Sequence, residues 1–209
     1  MLLNRMLLSG MILESVMKKT CISADQLLRD SFALALLVLR SGYRPDLIVG
    51  VWRGGTPVGI AVHEAFEFTG KGCDHLSIRI TSYTGINQRQ TVQVEGLDYL
   101  LHKVQGKRHL LLVDDVFDSG QSLARLIDEL QLMCGSQQPE IRIAVPWYKP
   151  TQNTTNRLPD YYLHETSAWL VFPHELCGLQ AAELLQKPGL QELGPQLLQL
   201  RDGALDSHN

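Results

Sequence analysis

Hydrophobic and polar positions follow two rhythms along the chain. "ADQLLRDSFALALLVLR" (24–40) repeats at helical spacing, with Leu28, Phe32, Ala35, Leu36 and Leu39 on one face. Ser23 with Gln26 three residues later is a capping-box start, and Gly42 and then Pro45 stop that helix. "DLIVGVW" (46–52) predicts a buried strand. After the turn "RGGTP", "VGIAVHEAFEF" predicts a helix running to Gly70, with Thr56 as its cap and Pro57 at its first position. "HLSIRITSY" (75–83) alternates as strands do, whereas "TGINQRQTVQVEGLDY" (84–99) is polar and without period, a mobile loop or loose hairpin. "RHLLLV" (108–113), "IRIAVPWY" (141–148) and "WLVF" (169–172) predict further strands, and "SLARLIDELQLM" (122–133) a helix ending at Gly135. Strands alternating with helices, without repeat or linker, predict one α/β domain around a mainly parallel, twisted sheet flanked by helices.

Composition narrows the picture only a little. A length of 209 residues suits one well-buried core, and a formal charge of −3 offers no basic surface for nucleic acid or an anionic membrane. Cys21, Cys73, Cys134 and Cys177 form neither a C-x-x-C pair nor a disulfide framework, so reduced thiols in a cytoplasm are expected. No H-E-x-x-H occurs, since His63-Glu64 and His174-Glu175 lack the second histidine. The first twenty residues are apolar but broken by Asn4, Arg5 and Glu14. They are short of a membrane span and lack a small-residue cleavage site, which favours an N-terminal extension or packing arm (1–20), with Met11 and Met17 as alternative starts.

Chemistry concentrates in two glycine turns, each between a buried strand and a helix. In open α/β sheets ligands bind beyond the carboxyl ends of the strands, where a helix N-terminus presents free amides to an anion. "WRGGT" is one such turn and "DDVFDSGQS" (114–122) the other. The second is not a Walker loop, because G-x-x-x-x-G-K-[ST] is absent. Adjacent carboxylates Asp114 and Asp115 suit a vicinal diol such as a ribose, or Mg²⁺ held through water. A lone Asp at a strand end would be read as a cap. D-D-x-x-D-S-G after an aliphatic strand would not.

"LLLVDDVFDSGQSL" (110–123) closely resembles the phosphoribosyl-diphosphate motif of type I phosphoribosyltransferases, and "IVGVWRGGTPVG" resembles that family's pyrophosphate loop. "RITSYTG" is similar to the start of its flexible catalytic loop. The likeness runs in order from about Ile22 to Glu175. "VPWYKP" and "PDYYLHETSAWLVFPHE" point to the purine branch, the xanthine-guanine and hypoxanthine-guanine enzymes.

That resemblance implies Mg²⁺-dependent transfer of ribose 5-phosphate from phosphoribosyl diphosphate to a 6-oxopurine (xanthine, guanine or hypoxanthine) in purine salvage, releasing pyrophosphate. It implies Asp114 and Asp115 on the ribose hydroxyls, Asp118 at N7 of the base, and Asp118, Ser119, Gly120, Gln121 and Ser122 around the 5-phosphate. Arg53, Gly54 and Gly55 would take the pyrophosphate, with Ser82 and Tyr83 closing over the site. Lys149 would meet the base O6, Trp169 would stack on the ring, and Leu170 would line it. Asp114, Asp115 and Glu175 would order the metal, mostly through substrate or water.

The implied layout is an N-terminal arm (1–20) and a transferase domain (21–209), with a hood at about 150–180 and a C-terminal helical segment (176–205) whose Leu-rich spacing suggests packing on the hood or on another subunit. A homodimer or higher homo-oligomer is implied too. His174 departs from the large aromatic residue expected there, next to the exocyclic 2-position of the base. Two rival readings remain: a regulator of this fold that senses phosphoribosyl diphosphate without catalysis, and a sister transferase for adenine or orotate. Lys149 with Trp169 disfavours the latter.

Overall fold

Leucine and β-branched runs become the inner strands of the sheet, and each helix lays its apolar stripe on one face of it. The computed structural model describes residues 19–83 and 91–206. In chain order these form β1 (Lys19–Cys21), α1 (Ala24–Arg40), β2 (Leu47–Trp52), α2 (Gly55–Phe68), β3 (Asp74–Tyr83), β4 (Thr91–Glu95), α3 (Leu97–Val104), β5 (His109–Val113), β6 (Val116–Phe117), α4 (Gln121–Cys134), β7 (Glu140–Tyr148), β8 (Tyr161–Glu165), β9 (Trp169–Val171), α5 (Ala181–Gln186) and α6 (Gly194–Asp206).

The larger sheet is seven-stranded, in the order β4-β3-β2-β5-β7-β6, with β8 on the other edge of β7. Every pair is parallel except β3–β4. Side-chain alternation divides the core in two. Ile48, Leu111 and Val113 face α1 and α2, while Leu47, Val49, Leu110 and Leu112 face α3 and α4. The expected α/β sandwich around a mainly parallel sheet is what forms. A second, two-stranded sheet joins β1 to β9, so the chain just before α1 meets the C-terminal segment.

Three local expectations need correction. On α1, Leu28, Phe32 and Leu36 are exposed at 52%, 42% and 46%. The buried side is Leu27, Ser31, Leu34, Ala35, Val38 and Leu39, with Asp30, whose carboxylate lies 3.0 Å from His164 Nε2. The helix is apolar nearly all round, so periodicity alone could not choose its sheet-facing side. Second, α2 begins at Gly55 with Gly54 at its N-cap, so Thr56 lies inside the first turn and its hydroxyl, buried, has no hydrogen-bond partner among the described residues. Third, Leu97–Val104 is a helix that buries Leu100 and Val104; its first turn, Leu97–Tyr99, falls in the stretch expected to be a loop or loose hairpin, and no element was expected over the rest. The loose hairpin holds for Thr91–Glu95, which pairs antiparallel with β3. Residues 84–90 lie outside the described part.

Candidate active site

β2 and β5 lie side by side in parallel, from Leu47↔Leu110 to Gly50↔Val113, so the turns at their carboxyl ends must meet. This is also where the connections reverse direction across the sheet: β3 and β4 lie on one side of β2, and β5, β7, β6 and β8 on the other. The meeting is tight enough to demand glycine. A Cβ on Gly55 would stand 2.3 Å from the Val113 carbonyl oxygen, and one on Gly54 would stand 1.9 Å from Asp115 Oδ2. Arg53 lies exposed on the rim beside them, and the Trp52–Arg53 peptide is cis.

Asp114 and Asp115 occupy the break between β5 and β6, the latter resuming pairing with β7 at Val116↔Trp147. Asp115 is 8% exposed and Asp114 half-buried, and the Asp115 amide donates to Asp114 Oδ1 at 3.0 Å. Burial, then the adjacent Asp115 carboxylate, hold the Asp114 carboxyl well above the usual carboxylate range, against the opposing pull of the Asp115 and Gly55 amides. Among the described residues no three His, Cys, Asp or Glu side chains converge to hold a metal ion unaided.

Residues 118–122 form the second turn, around a hollow of about 90 Å³ lined by Asp114, Phe117, Asp118, Ser119, Gly120 and Ser122, among others. Gly120, the N-cap of α4, has φ +75°, and a Cβ there would meet the Phe117 ring at 2.6 Å. The turn is braced by a segment that the sequence did not single out. Thr154 donates from its amide to the Ser119 carbonyl at 3.0 Å, and Gln121 Nε2 donates to Thr154 Oγ1 at 3.0 Å. Thr154 carries no sequence signal of its own; only its place after Lys149 connects it to the site.

The base-side residues come together over the same turn. Lys149 is 7% exposed, donates from Nζ to Asp118 Oδ2 at 2.8 Å, and lies 5.8 Å from the Trp169 ring centre. Trp169 itself is 52% exposed, so core packing does not account for it. Leu170 points elsewhere, buried in the core beside α1, and could reach a base only through its backbone. Glu175 is engaged locally, its Oε2 accepting from the Phe172 amide at 3.0 Å. Ser82 and Tyr83 end β3; their side chains lie outside the described residues. All four cysteines are free thiols, and burial, with Glu67 and Asp74 nearby, pushes the Cys73 thiol up to about 12, far from a nucleophile.

Residues 23–177 match the phosphoribosyl transferase domain. The chain belongs to the phosphoribosyl transferase domain family. Both glycine turns, the acid pair, Lys149 and Trp169 fall within the matched span, whereas α5 and α6 lie beyond it. Among solved structures the phosphoribosyl transferase fold recurs in a purine phosphoribosyltransferase from Pyrococcus horikoshii Ot3, with 30% identity, 78% of this chain and 97% of that one covered, and a TM-score of 0.59. It recurs in the Helicobacter pylori xanthine-guanine-hypoxanthine phosphoribosyltransferase at 20% identity, covering 84% of this chain and 98% of that one, with a TM-score of 0.61. A hypothetical protein from Neisseria gonorrhoeae with bound ppGpp shares the fold at 19% identity, covering 78% and 92%, with a TM-score of 0.61. No curated protein matches the chain significantly. Among the described residues no helix is long and apolar enough to cross a membrane.

Proposed function

We propose that this phosphoribosyltransferase acts on a 6-oxopurine, joining it to the ribose 5-phosphate of phosphoribosyl diphosphate and releasing pyrophosphate. The observation that carries the reading is the Lys149–Asp118 pair beside the exposed Trp169. An ammonium and a carboxylate 2.8 Å apart offer one donor and one acceptor side by side. A 6-oxopurine presents the complement, an acceptor at O6 and a protonated nitrogen at N7. Adenine, with an amino donor at position 6, would set donor against donor at Lys149. Trp169 supplies a face on which the ring can stack.

The remaining roles follow from charge. As the anomeric carbon loses pyrophosphate the ribose turns cationic, and Asp114 and Asp115, holding its hydroxyls, stabilise that charge. Ser119, Ser122 and the amides at the start of α4 receive the 5-phosphate. Arg53 and the amides of Gly54 and Gly55 receive the leaving group, and Asp118 manages the proton at N7. Asp114 and Asp115, two hard carboxylates, would hold a Mg²⁺ ion, mostly through substrate or water. Such an ion would supply positive charge to the departing pyrophosphate.

The test offers xanthine, guanine, hypoxanthine and adenine separately to the protein with Mg²⁺ and phosphoribosyl diphosphate, and follows nucleotide formation by absorbance. A 6-oxopurine is converted and adenine is not. Nucleotide from none of the four removes the reading, and if phosphoribosyl diphosphate still binds, a sensor of that compound takes its place.

A further inference from the structure

We propose that His174 is a sugar-side positioning residue, held against Asp115 by a clamp that the C-terminal segment closes through Lys187. The proposal rests on the transferase reading above. Residue 174 would be expected beside the exocyclic 2-position of the base. Instead its Nε2 lies 3.5 Å from Asp115 Oδ2, with the two side chains 25% and 11% exposed. At that separation the imidazole is in polar contact with the carboxylate, beyond the length of an ordinary N–H···O hydrogen bond. The contact limits rotation of the Asp115 carboxylate and keeps the acid pair set for a diol.

The imidazole is itself held. It stacks on Phe172 with ring centres 5.8 Å apart and planes 8° from parallel. Phe172 is 2% exposed and bound at both backbone atoms: its amide donates to Glu175 Oε2 at 3.0 Å, and its carbonyl accepts from Lys187 Nζ at 2.8 Å and from the Glu175 amide at 3.0 Å. Lys187 is 3% exposed, and an ammonium so buried is costly unless its hydrogen bonds are specific. It follows α5, which Glu183 ties to β1 through a 2.7 Å ion pair with Lys19. Lys187 lies outside residues 23–177, so the clamp is added by this chain's own C-terminal segment to the family domain.

Two readouts separate sugar side from base side: the dissociation constant of phosphoribosyl diphosphate with Mg²⁺, by calorimetry, and the KM of each purine. His174→Phe keeps the stacked ring and removes the polar edge that meets Asp115, so the dissociation constant should rise about threefold, less than the loss of a full hydrogen bond to a charged group. The ratio of guanine to hypoxanthine KM should stay unchanged. His174→Gln restores a polar group there and should recover the wild-type dissociation constant to within about 1.5-fold. Lys187→Met, near in volume, should weaken sugar binding in the same direction without altering base preference. Unchanged or tighter phosphoribosyl diphosphate binding in His174→Phe overturns the proposal, as does a shifted base preference with sugar binding intact. Wild-type protein that binds phosphoribosyl diphosphate yet forms no nucleotide removes the transferase reading alone, because the binding comparison among variants still stands.

Discussion

Lys149 donates from Nζ to Asp118 Oδ2 across 2.8 Å, so the side chain that would read O6 is paired with the one that would handle the N7 proton. A 6-oxopurine entering the proposed site would replace that one contact with two. Lys149→Ala should therefore raise the KM for hypoxanthine about tenfold or more, given about 1.5–3 kcal/mol for a hydrogen bond to a charged group. Asp118→Asn keeps a partner for Lys149 and should lower kcat by about 10²-fold, a usual contribution of general acid–base catalysis. The dissociation constant for phosphoribosyl diphosphate should stay within about twofold, since the phosphate turn survives. Steady-state kinetics with calorimetry checks both, and an Asp118→Asn enzyme with full kcat would take Asp118 out of the chemistry.

Trp169 is 52% exposed although it sits in a strand. Trp169→Ala should change stability by less than about 1 kcal/mol in denaturant titration, as surface substitutions do. Its KM for purine should rise by roughly tenfold, in line with about 1–3 kcal/mol for one base stacked on an aromatic ring. A large stability loss with unchanged KM would make it a packing residue.

Gly54 has φ −64° and ψ −37°, which any residue can adopt. Its constraint is the Asp115 carboxylate, 1.9 Å from where a Cβ would stand. Gly54→Ala should leave the far-ultraviolet circular dichroism spectrum intact. It should also displace Asp115 and weaken phosphoribosyl diphosphate binding by about tenfold, equal to about 1.4 kcal/mol. Retained affinity would show that the two turns do not depend on each other.

Asp46 gives the pH dependence. Its Oδ2 accepts from the Arg108 and His109 amides at 2.8 and 3.0 Å. Burial opposes the charged form, but those amides outweigh it and the carboxyl sits below its ordinary range. A lowered folded-state value means that the stabilisation is present above the unfolded value of about 3.9 and is lost as pH falls through the folded one. The carboxylate is 40% exposed, so solvent reduces the effect. Asp46→Asn should cost about 1 kcal/mol at pH 7. In urea unfolding, the gap from wild type should close as the pH drops below that window. A gap independent of pH would mean the charge contributes nothing.

Periodicity and local rules went far here because most of the fold is written in short-range signals. The buried strands, the stops at Gly42 and Gly135 and the acid-rich turn at 114–122 each declare themselves within a few residues, and the order of strands and helices implies the parallel sheet. α3 escaped because one apolar stripe over Leu97–Val104 is short and follows a polar run. The bearing of α1 escaped because two apolar faces compete on it, and only the sheet and the His164–Asp30 contact choose between them.

The candidate site divides in the same way. The sequence alone determined which residues carry charge, hydroxyl and glycine at the two turns, because each turn draws those types from one short stretch of chain. Only the tertiary structure decided that Gly54 abuts Asp115, that Lys149 reaches Asp118, that His174 lies beside Asp115 and that Lys187 reaches the Phe172 carbonyl. Those partners lie 15 to 61 residues apart in the chain. No local spacing encodes such distances; they are set by parallel strand register and by a C-terminal segment folding back onto the sheet.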